Sequence, residues 1–115
     1  MITRSFVKDV VALEGPIFLV VGMNSFGMAI FLHNQGNNQV TYRYQDSNEN
    51  VEGSYTDIGT GFFGTIDPNG VVLTKITSTK PYVRLKAYAA GGSKLFCGIS
   101  QYYLNVSNIQ PIINI

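Results

Sequence analysis

The feature that most constrains the fold of this chain is a repeated alternation of apolar and polar residues in short blocks. In the segment 83–89, every second residue is apolar and the residues between them are charged or aromatic. Successive side chains of a strand point to opposite faces, so this pattern is typical of a strand with one buried face. Gly, Asn, Asp and Pro bound the blocks, and helical periodicity is weak along the whole chain. The sequence therefore predicts an all-β protein.

The spacing of these blocks predicts two packed antiparallel sheets. Strong turn signals stand at residues 34–38 and 67–70, which read Asn-Gln-Gly-Asn-Asn and Asp-Pro-Asn-Gly. About seven or eight short strands fit between such turns, and an open sheet with one apolar face buries it against a second sheet. We therefore expect an antiparallel β-sandwich, either immunoglobulin-like or jelly-roll. A chain of 115 residues, 45% of them hydrophobic, is long enough for one core, so residues 1–115 are predicted to form a single domain.

The two ends of the chain are unusually apolar for segments outside a compact sandwich. Residues 1–14 are expected to form an extended N-terminal arm or an edge strand, and residues 107–115 an uncharged C-terminal tail. Either segment could complete its own sheet or lie along a partner as an added strand. The residues expected to contact a partner are Phe6, Val10, Ile109, Ile112 and Ile113.

A second candidate partner surface lies on one face of the segment 82–88. Tyr82, Arg84, Lys86 and Tyr88 share that face, and tyrosine and arginine are enriched at protein interfaces. All seven acidic residues lie in the first 67 positions together with three basic ones, a net charge of −4, whereas the rest carries +5. This charge asymmetry could steer the approach of a complementary surface or of another copy of the chain. Alternatively, the charges could serve only to keep opposite edges of the domain in contact with water. The overall net charge of +1 argues against nucleic-acid binding.

Three patterns that could carry catalytic, cofactor or metal chemistry lack the context they need. Residues 59–64 match the GxGxxG spacing, but residues 65–70 form a turn where that motif requires a helix. Residues 46–50 begin like an EF-hand loop, but Val51 replaces its turn glycine and no helices flank it. His33 is the only histidine, and no ligand spacing surrounds it. The sequence therefore predicts no enzymatic activity, no cofactor and no metal.

The single cysteine and the longest apolar stretch also have simple interpretations. Cys97 excludes an internal disulfide, fits synthesis in a reducing compartment and is expected to be a small core residue. No secretory signal is expected, because Asp9 and Glu14 interrupt the N-terminal region. The stretch Ile17–Leu32 is too short for a membrane span and is broken by Asn24, so we interpret it as two strands around a turn.

From Ala29 to Tyr103 the chain has a recurrent pattern of short strands and Asn- or Gly-rich turns, with the segments VTYRYQDSNEN, YTDIG, IDPNGVVLTKITSTKPYVRLKAYAAGG and GISQYY. In this pattern it resembles the small β-sandwich proteins of tailed bacteriophage particles, in particular capsid decoration or cement proteins. The resemblance implies a non-enzymatic virion subunit on the capsid surface, often trimeric and synthesised in the host cytoplasm. Its partner would be the major capsid protein or another virion protein. The resemblance carries no binding residues over to this chain.

Two other classes of function remain open at this point. The seven tyrosines also suit a carbohydrate-binding or adhesin-type module, such as a phage tail or fibre component, although the chain has no tryptophan. A small enzyme with a scattered site is the third and weakest reading.

Overall fold

The chain folds into nine strands, as described by a computed structural model of residues 2–103. The strands are β1 (Ile2–Val10), β2 (Gly15–Val21), β3 (Phe26–Asn34), β4 (Val40–Ser47), β5 (Thr56–Asp57), β6 (Phe63–Ile66), β7 (Val71–Thr77), β8 (Tyr82–Tyr88) and β9 (Ser93–Tyr103). Single turns of 3₁₀ helix at Met23–Ser25 and Glu52–Ser54 are the only helical elements within the described range. The prediction of an all-β protein is therefore confirmed.

The strands form two antiparallel sheets with the strand order of a jelly roll. Sheet A has the order β1-β9-β3-β7, and sheet B has the order β2-β8-β4-β5, with β6 also paired to β4. Strands β5 and β6 pair with opposite ends of β4, at residues 45–46 and 40–43, and so share one strand position. The nine strands therefore fill eight positions, and the first four strands of the chain alternate between the two sheets. Of the two predicted sandwich types, the structure shows the jelly roll.

The core lies between the two sheets and is lined by alternate residues of the long strands. The side chains of this core include Val10, Val20, Met28, Ile30, Leu32, Val40, Tyr44, Ile66, Ile76, Val83, Leu85, Leu95, Cys97 and Ile99, each at most 2% exposed. Cys97 is a core residue, as predicted from its alternation with Leu95 and Ile99. Burial raises the pKa of the Cys97 thiol to about 12, so this sulfur stays protonated at neutral pH.

The N-terminal segment is an edge strand, which settles the alternative that the sequence left open. Strand β1 pairs with β9 without interruption, from Ile2 opposite Gln101 to Val10 opposite Ser93. Val10 is buried in the core, and Phe6 packs edge-on against Phe18 with their ring centroids 6.4 Å apart. Phe6 and Val10, which the sequence placed in a partner contact, therefore lie on the core-facing side of β1, beside β9. A partner contact of β1 stays a prediction. The tail at 107–115, with Ile109, Ile112 and Ile113, lies outside the described residues.

A buried asparagine ties three connections together at one end of the sandwich. Asn34, at the end of β3, donates from Nδ2 to the carbonyl oxygens of Asn38 (2.8 Å) and Ile66 (2.9 Å). Its Oδ1 accepts from the backbone N–H of Gly36 (3.1 Å) and the hydroxyl of Ser93 (2.6 Å). One side chain thus holds the β3–β4, β6–β7 and β8–β9 connections in fixed positions.

The hydroxyl of Tyr44 is buried in the core and has no hydrogen-bond partner among residues 2–103. Burial raises the pKa of Tyr44, so the hydroxyl stays neutral, but its desolvation is uncompensated. We expect Tyr44→Phe to raise the free energy of unfolding by about 1 kcal/mol in urea denaturation. The matched control is Tyr55→Phe, because the Tyr55 hydroxyl donates to Asn50 Oδ1 at 2.8 Å. Tyr55→Phe should lower the free energy of unfolding. If Tyr44→Phe lowered it as well, the Tyr44 hydroxyl would not be an unpartnered group in the core.

Candidate protein-binding surfaces

The outer face of sheet B carries the four residues that the sequence predicted as an aromatic and basic surface. Their alternation is as predicted, but Arg84 is only 8% exposed. Its Nη1 lies 2.6 Å from Glu52 Oε2, its Nε donates to Gln45 Oε1 at 2.9 Å, and its guanidinium lies 3.9 Å from the centroid of the Tyr55 ring. Arg84 also holds the pKa of Glu52 below its ordinary value through this hydrogen bond and its charge. The guanidinium is therefore satisfied within the chain.

The other basic groups of this face are paired in the same way. Glu14 lies 3.0 Å from Arg43 Nε and 3.5 Å from Lys86 Nζ, and Arg43 Nη1 is 3.4 Å from Asp57. Strand pairing thus mixes the acidic first part of the chain with its basic second part. Acidic residues distant in sequence thus neutralise the basic charges of the face formed by Tyr82, Arg84, Lys86 and Tyr88, and the two tyrosines are half-buried. Partner binding by this face stays a prediction.

The outer face of sheet A carries a cluster of exposed apolar side chains, here called the apolar face. It consists of Val7, Phe31, Val71, Leu73 and Phe96. Strand register brings them together, because Val7 stands opposite Phe96 and Phe31 opposite Leu73. The Phe31 and Phe96 rings meet edge-on at 6.2 Å between centroids. Val7, Val71 and Leu73 are 52%, 57% and 66% exposed, so these side chains remain largely in water.

The centre of the apolar face is free of charged residues. Its immediate neighbours in register are Ser5, Gly98 and Ala29, together with His33, which stands between Phe96 and Val71. Lys75 borders Leu73, two residues further along β7, and the pair Asp9 and Lys94 lies at the other end of the face. Exposed apolar residues scattered singly are normal, whereas a contiguous group of them marks an interaction site. The apolar face is therefore the strongest candidate for a protein-binding surface in the described chain.

The four edge positions of the two sheets differ in how well they are protected from pairing with another strand. Strand β1 directs the charged residues Arg4 and Lys8 to the side of the core, and β2 contains Pro16 and a register shift before Phe18. Strands β5 and β6 are short. Strand β7 pairs with β3 in unbroken register over residues 71–77, has no proline, and carries its one charged residue, Lys75, on the outer face. Of these edges, β7 is the most open to an added strand.

Sequence reasoning missed the apolar face as a site, although one signal for it was present. Its members lie in or beside uninterrupted apolar runs such as 28–32 and 71–73. Such a run places apolar side chains on both faces of a strand, so one set must remain outside a two-layer sandwich. What the sequence could not provide was which set faced outward.

The other sequence motifs occupy structural positions. His33 lies on the outer face of sheet A, opposite Phe96 and Val71. In the glycine-rich segment, residues 59–62 form a turn that leads into β6, which begins at Phe63. Asp46 accepts a hydrogen bond from the Ser78 hydroxyl (2.9 Å) and pairs with Lys80 (3.4 Å). In the described part of the chain, no three His, Cys, Asp or Glu residues lie close enough to hold a metal ion together.

A groove of about 300 Å³ lies where β5 and β6 leave a gap beside β4. The exposed ring of Phe63 borders it together with Arg43 and Asp57. Within residues 2–103, no helix has the length and apolar composition that crossing a membrane requires.

Comparison with known proteins finds solved structures of similar fold. No protein-family description and no curated protein matches the chain. A protein of Bacillus endospore appendages, described as a novel family of disulfide-linked pili, superposes with a TM-score of 0.59 at 10% identity over 90% of this chain and 88% of its own. The crystal structure of PirA gives 0.55 at 17% identity over 85% and 93% of the two chains. PliG of Aeromonas hydrophila, a periplasmic inhibitor of g-type lysozyme, gives 0.51 at 10% identity over 87% and 86%. At these identities, what the chain shares with all three is the β-sandwich fold.

Proposed function

We propose that the protein is a non-enzymatic structural subunit of a virus particle, a capsid decoration or cement protein that binds the shell through the apolar face. Its partners would be the major capsid protein or another virion protein, together with further copies of itself. The single observation that carries this proposal is the contiguous apolar face, largely exposed and free of charge at its centre.

Two further observations support assembly as the role. The jelly roll is a fold of many viral capsid domains. The Bacillus appendage protein, which shares the sandwich fold, forms pili. The disulfide linkage of those pili does not transfer to this chain, because its one cysteine, Cys97, is buried in the core. Contacts between subunits would therefore be non-covalent here.

The proposal is tested by placing a charge on the apolar face. Val7→Lys should lower the affinity of a labelled chain for its virus particle at least tenfold, because a buried contact would have to desolvate an ammonium group. Val21→Lys is the matched control, since Val21 is a valine of similar exposure (62%) on an edge strand of sheet B. Electron microscopy of particles carrying the labelled chain measures the occupancy. Equal occupancy of both variants would show that the apolar face is not the contact.

One observation favours a carbohydrate-binding function as the alternative. The groove beside β4 combines the exposed aromatic ring of Phe63 with the polar groups of Arg43 and Asp57. Aromatic rings stack on sugars, and a few convergent polar groups fix a ligand's orientation. Glycan binding that is lost in Phe63→Ala, together with the absence of the chain from virus particles, would favour this function over the structural one.

A further inference from the structure

We propose that residues 104–115 of one copy add as a strand to the β7 edge of a second copy. This inference rests on the proposed function, because it names one contact by which the subunits would assemble. It joins an acceptor that the structure describes with a donor segment known from the sequence.

The acceptor is β7 and the part of the apolar face beside it. In the described range β7 pairs with β3 alone, so the backbone N–H and C=O groups of its other edge are available for a further ladder. Val71 and Leu73 point outward from β7 and are largely exposed, whereas Thr74 and Ile76 point into the core. An added strand would thus gain backbone hydrogen bonds together with an apolar surface for alternate side chains.

The donor segment is apolar and uncharged, like Val71 and Leu73 of the acceptor, and its one proline, Pro111, fits an added edge strand when its nitrogen faces away from β7. Residues 104–115 contain no charged residue, and six of the twelve are aliphatic: Leu104, Val106, Ile109, Ile112, Ile113 and Ile115. Such a segment can lie against Val71 and Leu73 without desolvating an ion, while the exposed Lys75, two residues further along β7, keeps its ammonium group in water. The outer face of sheet B, with its paired Arg43, Arg84 and Lys86, would instead require apolar side chains to cover charged groups.

The length of the segment is also sufficient. Twelve extended residues span about 40 Å, whereas the seven residues of β7 span about 23 Å. About five residues therefore remain to bridge the space between two copies.

Pairing within one copy is disfavoured by the position at which the described chain ends. Tyr103 stands opposite Phe26, at the end of sheet A where residues 22–25 enter β3 and residues 78–81 leave β7. To reach its own β7, the segment would have to pass β3 and both of these connections, and connections at one edge of a sheet seldom cross. The opposite edge, β1, is protected by Arg4 and Lys8. A second copy offers β7 without this crossing.

Such a contact joins different surfaces of the two copies, because each copy donates its tail and accepts another. Contacts of this type are head-to-tail, and they close into rings or continue into filaments. A variant with a defective tail therefore keeps an intact β7 edge, and a variant with a defective β7 edge keeps an intact tail.

This property allows a complementation test with two full-length variants. The acceptor variant carries Val71→Lys and Leu73→Lys, and the donor variant carries Ile112→Lys and Ile113→Lys. We expect each variant alone to be monomeric in sedimentation velocity at concentrations where the native chain assembles. An equal mixture should form dimers and nothing larger, because it retains one intact donor and one intact acceptor per pair. Val21→Lys, on β2, is the control and should assemble as the native chain does.

Several outcomes would overturn the inference. One is an acceptor variant, shown by circular dichroism to be folded, that assembles like the native chain. Another is a mixture that stays monomeric although both variants are folded. A third is a native chain that is monomeric at every concentration while the donor variant melts at a much lower temperature, since the tail would then complete its own copy. If Val7→Lys prevents particle binding but the folded donor variant assembles as the native chain does, the proposed function stands and this inference falls.

Discussion

Replacing Asn34 with Ala is expected to lower the free energy of unfolding by about 3–5 kcal/mol, a large part of the stability of a domain of this size. The side chain is fully buried and makes four hydrogen bonds, two as donor and two as acceptor. Its removal would strip the Ile66 carbonyl and the Ser93 hydroxyl of these partners and leave a void between three connections. Urea denaturation at 25 °C, monitored by circular dichroism, measures the effect.

The control for this prediction is Gln39→Ala, which removes a polar contact at the same end of the sandwich. Gln39 Nε2 donates to Asp67 Oδ1 at 2.8 Å, but this bond is exposed to water. Its loss should change stability by less than about 0.5 kcal/mol. If Asn34→Ala cost no more than the control, water would have to replace the lost bonds, and Asn34 would not organise the three connections.

The local part of the fold could be predicted from the sequence because it depends on neighbouring residues. The alternation over 83–89 placed β8 and its buried face correctly, and the turn residues at 34–38 and 67–70 stand at observed connections. The choice between an immunoglobulin-like sandwich and a jelly roll depends on long-range pairing. The decisive ladder joins β1 to β9, the first and last strands of the described chain, and no local pattern encodes that pairing.

The candidate site could be predicted less well, for a related reason. Alternation shows that Arg84 and Lys86 share a face, but their availability depends on Glu14 and Glu52, which approach only in the folded chain. Apolar periodicity in turn cannot separate an inner face from an exposed one when both are apolar, as in β3. Phe6 and Val10 were therefore assigned to a partner although they face the core, and Phe31 was not assigned at all.

Deleting residues 108–115 is the second change with a large expected effect. If the tail serves a partner, the melting temperature of the domain should change by less than about 2 °C, because the described sandwich already buries its core without these residues. Oligomerisation or particle binding should be abolished. Burial of three or four aliphatic side chains contributes on the order of 5 kcal/mol to association before ordering costs, so its loss corresponds to several orders of magnitude in the dissociation constant.

The control keeps the length and every isoleucine of the tail and replaces only Gln110 and Asn114 with Ser. This variant should associate as the native chain does, because the aliphatic side chains and the backbone supply the affinity in strand addition. Thermal melting by circular dichroism and sedimentation velocity on the same samples separate the two roles of the segment. A fall in melting temperature of about 10 °C or more with association retained would assign the tail to its own sheet, since stability rather than assembly would then depend on it.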